Sequence, residues 1–394
     1  MMQQTSELQA SLDDLFRYCQ SQEWRGYDPY DGLNSRLLQS LPFRGRWARL
    51  VCIQMLRRLP INLRSILGIR KEINPKGLSL FLNGCLTLYR LTGQEQYRQW
   101  CRYFLTLLKE LSCKGYSGYC WGYNFDWQSR FFFLPRGTPT TVNTVFVANA
   151  LLNLYEVLDD KNALRMARSS CDFLLQDLPR REDEEGICFS YTPLDSLQVY
   201  NASILAAQLL CRVHSLCGEK TFLQACRGAG RFVCAHQNEN GSWYYGKPDS
   251  QHWVDGHHTG FILTALNDML SRSSDESLAG PLNRGLSFYR RHLFRQDGAP
   301  RYYQNSLYPI DTHCAAQGII TFAQLRARGN DHLDFARKVA GWTIRNMQDP
   351  GGYFYYRKGR LLTNKIPYMR WSQAWMFYAL TELLQALREE DAER

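Results

Sequence analysis

Apolar residues along the chain recur in segments of helical length, and these segments alternate between two kinds. Residues 77–91, 144–158, 199–213, 259–270, 314–325 and 372–387 are apolar on almost every side, as a helix surrounded by other helices must be. Residues 46–59, 95–111, 163–178, 220–236, 282–294 and 332–347 are amphipathic, with one solvated face. The alternation predicts six helical hairpins, each with one buried and one outer member.

A glycine-led aromatic phrase separates the hairpins and recurs five times. It reads GYCWGYNFDW from Gly118, GICFSYTP from Gly186, GSWYYGKP from Gly241, GAPRYYQN from Gly298 and GGYFYYRK from Gly351, with spacings of 68, 55, 57 and 53 residues. Such periods are too long for a tetratricopeptide or ankyrin unit and suit a helical hairpin with a decorated loop. Runs such as Trp243, Tyr244 and Tyr245 predict short β-hairpins in those loops. The expected fold is all-α, an (α/α)6 toroid of helical hairpins with short aromatic β-hairpin-like loops on one rim. Residues 1–43 are expected as an N-terminal extension and 44–394 as the single toroid domain.

Composition supports a folded chain: of 394 residues, 45% are hydrophobic and 21% charged, which excludes disordered, collagenous and coiled-coil classes. No apolar run approaches the roughly 18 to 20 residues of a membrane span, and the opening MMQQTSELQASLDD has no signal-peptide character. Thirteen cysteines without such a signal point to a reducing, cytoplasmic setting. Cys113 and Cys120 stand seven apart and Cys211 and Cys217 six apart, so no zinc spacing is present, and no cofactor motif accompanies them. His252 with Asp255 and His257 is a weak metal-like pattern, and neither metal nor cofactor is expected.

The net charge of +10 is uneven. Arg44, Arg46, Arg49, Arg57, Arg58, Arg64, Arg70, Lys71 and Lys76 face a single acid, Glu72, within residues 44–76. With Trp47, Leu50, Val51, Ile53, Met55 and Leu56 interleaved, the segment reads either as a basic amphipathic helix lying on anionic lipid or as an outer helix with a solvated basic face. On the first reading the protein is peripheral on the inner membrane face. No nucleic-acid motif accompanies the charge, so a nucleic-acid partner is not expected.

In a ring of hairpins, the loops entering the inner helices converge on one end. They carry Asn143, Asp195, Asn201, Asp255, His257, His258, Asp311, His313, Arg370 and Gln373. Helix capping accounts for an Asp at such a point, but not for histidines or Arg370. Histidine transfers protons near neutral pH, so two separate inner-helix starts bearing His signal acid/base chemistry. Aromatic residues of the loops, Trp121, Tyr123, Trp127, Trp243, Tyr244, Tyr245, Trp253, Tyr302, Tyr303, Tyr353, Tyr355 and Tyr356, can either stack on sugar rings or pack in the core. Arg130, Arg136, Lys247, Arg301 and Arg370 suit an anionic ligand, with a uronic acid the natural candidate.

The glycine-aromatic loops and the closing MRWSQAWMFYAL segment resemble the six-hairpin, (α/α)-toroid carbohydrate-active enzymes from about Gly77 onward. The nearest resemblance is to the C-terminal helical domain of D-glucuronyl C5-epimerases, followed by unsaturated glucuronyl hydrolases and N-acylglucosamine 2-epimerases. It implies an enzyme acting on a uronate-containing glycan by C5 proton abstraction, as an epimerase rather than a lyase. His257, His258, His313, Tyr245, Asp255 and Asp311 are the expected catalytic set. Asn143, Asn201, Arg370, Gln373, Trp121, Tyr123, Trp127, Trp243 and Tyr303 are the expected substrate contacts, and the expected partner is an anionic glycan or lipid-linked oligosaccharide. The alternatives are a glycoside hydrolase working through Asp195, Asp255 and Asp311, a terpene cyclase suggested by QNENGSWYYG, and a non-catalytic glycan-binding subunit of polysaccharide assembly.

Overall fold

The computed structural model describes the backbone of residues 2–39 and 45–393 and the side chains of residues 6–37 and 45–393. Fourteen helices follow one another among the described residues. They are α1 (Met2–Ser21), α2 (Arg36–Gln39), α3 (Arg46–Arg58), α4 (Pro75–Thr92), α5 (Glu95–Glu110), α6 (Thr141–Leu158) and α7 (Lys161–Gln176), then α8 (Tyr200–Cys217), α9 (Lys220–Ala235), α10 (Gly256–Ser273), α11 (Ala279–His292), α12 (Thr312–Gln324), α13 (His332–Met347) and α14 (Trp375–Glu393). Helices α4, α6, α8, α10, α12 and α14 each contact the next, and α14 returns to α4, so the inner ring closes. The expected (α/α)6 toroid is the fold.

Local chemistry sets the ends of the inner helices. In α4, Pro75 occupies the first turn, Asn74 accepts from the Lys76 and Gly77 amides, and Gly93 ends the helix at φ 67°. Helix α6 is long and apolar enough to cross a membrane, with mean hydropathy 1.2, but it is an inner helix and 61% of it is buried within the ring.

The sixth outer helix is α1, which packs on α14 and α13. The repeated glycine explains how. A Cβ on Gly241 would stand 2.6 Å from the Arg284 carbonyl of α11, and one on Gly352 would stand 2.6 Å from the Asp14 carbonyl of α1. Each loop therefore lies directly on the next outer helix, which only glycine permits. The six hairpins are present, but residues 46–59, expected as the outer helix that precedes 77–91, are not the sixth outer member. That helix, α3, instead leans on the turn Asp31–Asn34 and on strand β1 (Trp127–Gln128), over the end of the ring where the inner helices start. The expected boundary at residue 43 and Arg44 of the basic run lie outside the described residues.

Among the described residues the loops contain three small sheets. Strand β1 pairs with β2 (Phe133–Leu134), and β3 (Arg180–Asp183) pairs with β4 (Gly186–Phe189). Strand β5 (Ile310–Asp311) pairs with β6 (Arg357–Lys358), which pairs with β7 (Thr363–Asn364). The register Asp311 to Arg357 in the last sheet sets a carboxylate beside a guanidinium at the start of α12.

Candidate functional site

A cleft of about 610 Å³ opens at the end of the ring where the inner helices begin, which is within the usual range for small-ligand sites. Its floor follows one rule of register. The second residue of every inner-helix start lines it: Lys76, Val142, Asn201, His257, His313, and Arg370 in the wide π-type turn Met369–Ala374 that leads into α14. Side chains at that position project from the ring's end toward the axis, so six distant stretches of sequence meet.

The histidines form a row. Ring centroids of His313 and His257 are 4.6 Å apart, those of His257 and His258 are 4.0 Å apart, and the Tyr245 ring follows at 4.8 Å from His258. Asp255 caps α10 and receives two imidazoles, His257 Nδ1 at 3.1 Å and His258 Nδ1 at 2.7 Å. The carboxylate accepts a hydrogen bond from His258 Nδ1, so that atom carries a proton, whereas His257 Nδ1 lies beside the carboxylate without such a bond and 3.8 Å from Cys314 Sγ. His313 is packed against Trp375 at 4.3 Å, and neither of its nitrogens has a hydrogen-bond partner although both are buried. Leaving buried polar atoms unpaired costs about 1–3 kcal/mol each, so these nitrogens contribute nothing to stability.

Burial pulls the His257 imidazole well below its ordinary value, against the attraction of Asp255. Burial, aided by Lys76 and Arg370, does the same to His313. Burial alone would raise Asp255, but the two imidazoles and the hydrogen bonds it accepts outweigh that and hold it ionised. Burial also keeps the Tyr245 phenol protonated. The unfolded chain therefore takes up protons near pH 6.5 that the folded chain refuses, and stability falls as pH drops below that point. Each such histidine costs up to about 1.4 kcal/mol per pH unit. The melting temperature is expected to fall between pH 7.5 and 5.5, and to fall less in His313→Phe. A flat profile would contradict the buried, neutral rings.

The cationic groups differ in what they have left to offer. Arg370 donates from Nε at 2.6 Å and Nη2 at 2.8 Å to Asp28, so its charge is already answered. Arg357 binds Asp311 through Nε, yet its buried Nη2 has no partner. Arg57 donates to the Tyr356 hydroxyl at 3.0 Å and makes no ion pair among the described residues. Lys76 is buried with its Nζ above three rings, 4.1 Å from the centroid of Phe146, 5.0 Å from Phe261 and 5.2 Å from Trp375. Burial and the neighbouring Arg370 pull its amine well below the ordinary lysine range.

Of the expected catalytic residues, His257, His258, His313, Tyr245 and Asp255 line the cleft. Asp311 does not. It lies beneath the floor, caps α12, and holds Arg357 and the Trp371 indole. Of the expected substrate contacts, Asn201, Arg370, Tyr123, Trp127 and Tyr303 line the cleft. Asn143 is one residue past the lining register and is fully buried. Gln373 is spent on both sides of the Phe354 backbone. Trp121 and Trp243 are core residues whose indoles donate to Leu108 and Val233, satisfying carbonyls in the last turns of α5 and α9. Asp195 ties its own loop by accepting from the amides of Tyr191, Thr192 and Leu197.

Lys76, Arg57, Arg357, Tyr30, Tyr191 and Trp371 also line the cleft and were not singled out from the sequence. Asp255, His257 and His258 would offer a metal ion donor atoms within 4.8 Å of one another. His258 Nδ1 is hydrogen-bonded to that carboxylate, and His257 Nδ1 lies 3.1 Å from it. His252, the third member of the metal-like pattern, stacks on Tyr244 instead.

No family model and no curated protein matches the sequence. Solved structures with the same fold include an unsaturated glucuronyl hydrolase specific for heparin, at 13% identity over 98% of both chains and a TM-score of 0.64. Cellobiose 2-epimerase from Bacillus thermoamylovorans matches at 11% identity over 82% of this chain and 90% of that one, with a TM-score of 0.64. D-mannose isomerase matches at 11% identity over 80% of this chain and 87% of that one, with a TM-score of 0.63. At such identity the likeness establishes the (α/α)6 ring alone.

Proposed function

We propose that the protein is a carbohydrate-active enzyme that moves a carbon-bound proton of an anionic sugar, as a uronate C5-epimerase. One observation carries this reading: three contacting imidazoles, two of them against an ionised Asp255, in a cleft whose described lining contains no second carboxylate. Hydrolysis of a glycosidic bond calls for two carboxyl groups flanking the bond. The other two aspartates considered for it are engaged elsewhere, Asp195 in its loop and Asp311 beneath Arg357. A sugar epimerase and a sugar isomerase share the fold, and so does an unsaturated glucuronyl hydrolase, which supports both halves of the proposal.

In this reading the substrate carboxylate is received by Arg57 and by the unpartnered Nη2 of Arg357, which neutralise the charge that builds on it. His313 takes the C5 hydrogen as a proton, and the electron pair left behind spreads into the carboxylate. Tyr245, at the other end of the row, returns a proton to the planar carbon, and delivery to the opposite face gives the epimer. The substrate's composition is unchanged, while His313 is left protonated and Tyr245 ionised, and exchange of one proton by each with solvent resets the site. Tyr123, Trp127 and Tyr303 supply flat faces for the sugar rings.

Incubation with uronate-containing oligosaccharides in deuterated water is expected to place deuterium at C5 without releasing reducing ends. Reducing ends without deuterium would transfer the cleft to the hydrolase reading.

A further inference from the structure

Helix α3 has three sides, and each meets something different. Ile53 and Leu56 are buried towards the turn at Gly32. Leu50, Gln54, Arg57 and Arg58 face the cleft mouth. Trp47, Val51 and Met55, one turn apart, face outward, with Trp47 74% and Val51 65% exposed. An exposed tryptophan continuing into a Val-Met ridge is unusual on a surface that is otherwise charged.

A second element shares this surface. The tip of the β6–β7 hairpin is Arg360-Leu361-Leu362, with Leu361 91% and Leu362 70% exposed. Asn364 in β7 donates to the Leu59 carbonyl just after α3 at 2.9 Å, so hairpin and helix are neighbours. Ile61 and Ile66, in the loop after α3, are also exposed. Half of the exposed large apolar side chains among the described residues lie in these two neighbouring stretches. Exposed bases accompany them: Arg46, Arg58, Arg70 and Lys71 in the first stretch and Arg360 and Lys365 in the second, against one acid, Glu72, which is half-buried and paired with Arg136.

We propose that this apolar, basic rim docks the protein on an anionic lipid bilayer. Charge complementarity selects the occupant: apolar side chains enter the boundary between headgroups and acyl chains while the arginines and lysines stay among anionic headgroups. Docked this way, the cleft opens beside the bilayer, where the sugar of a lipid-linked saccharide is presented. The docking surface stands independently of the chemistry proposed for the cleft.

Flotation of the full-length protein with phosphatidylcholine vesicles, with and without 30% phosphatidylglycerol, tests it. Binding is expected with the anionic vesicles only, and to weaken at high salt. Trp47→Ser combined with Val51→Ser and Met55→Ser should lower the bound fraction about tenfold, as should Leu361→Ser with Leu362→Ser. Arg46→Glu with Arg360→Glu, which leaves every apolar residue in place, should do the same. All of these positions face outward, and an unchanged melting temperature confirms that each variant folds. Equal binding to neutral vesicles, or no binding to either, overturns the proposal. A Trp47-dependent dimer in lipid-free sedimentation also overturns it, because the face would then belong to a second copy of the chain.

Discussion

Replacing His313 with phenylalanine is expected to slow deuterium exchange at C5 by about 10²- to 10⁴-fold, the usual contribution of a positioned acid or base, without lowering the melting temperature at neutral pH. The second half of the result is what makes the first informative. Phenylalanine keeps the flat contact with Trp375 and removes two buried nitrogens that have no partner, so nothing that holds the fold is lost. Asp311→Asn is the contrasting variant. Asp311 caps α12, pairs with Arg357 and accepts from Trp371, so its loss is expected to cost about 1–3 kcal/mol of stability along with activity. Kinetics and denaturation on both variants separate a group that works on substrate from one that holds the site. Full exchange activity in His313→Phe would remove it from the mechanism.

The hairpins were legible because inner and outer helices differ in pattern: one is apolar all round and the other on a single face. Ring closure was not, because it joins the first helix to the last, and amphipathic periodicity gives residues 2–21 and 46–59 equal claim to the sixth outer position. The decisive contact, Gly352 on Asp14, spans almost the whole chain. The place of the histidines in the cleft was legible because His257 and His313 recur in phase. Asn143 failed by one residue, since the lining position is the second of each helix start and that place in α6 belongs to Val142.

Trp121 and Trp243 misled for a different reason. A tryptophan after a loop glycine looks the same whether it stacks on a sugar or satisfies a helix end, and only the path of its indole N–H decides. Arg370 was correctly placed in the cleft, but its partner Asp28 lies in a stretch expected to be a mere extension, so its neutralisation was invisible. Lys76 carried a readable signal that was missed. It follows Asn74 and Pro75 at the start of the first inner helix, in the same register as His257 and His313, yet it was counted only as part of a basic run.

Exchange of Lys76 for methionine is expected to stabilise the protein and to disable the enzyme, an opposition that a structural lysine would not produce. Burial disfavours the ammonium and Arg370 repels it, and against these stand only a weaker attraction from Asp28, which Arg370 already holds, and the faces of Phe146, Phe261 and Trp375. Its folded-state proton affinity is lowered relative to the unfolded chain, so the unfolded state binds the additional proton below the ordinary lysine value and stability drops as pH falls from about 10.4 toward the lowered folded value. Methionine fills nearly the same volume without that term, and a gain of about 1–2 kcal/mol at pH 7.5 is expected in urea denaturation, shrinking as the pH approaches 10. A residue that weakens the fold is retained for what it does to a ligand, and here it stands at the floor of the cleft beside His313 and Arg370. The loss of kcat/KM for the exchange reaction is accordingly expected to reach about a hundredfold or more. A methionine variant that is less stable than the parent, or equally active, would show that the amine is satisfied in the resting protein and has no part in binding the sugar.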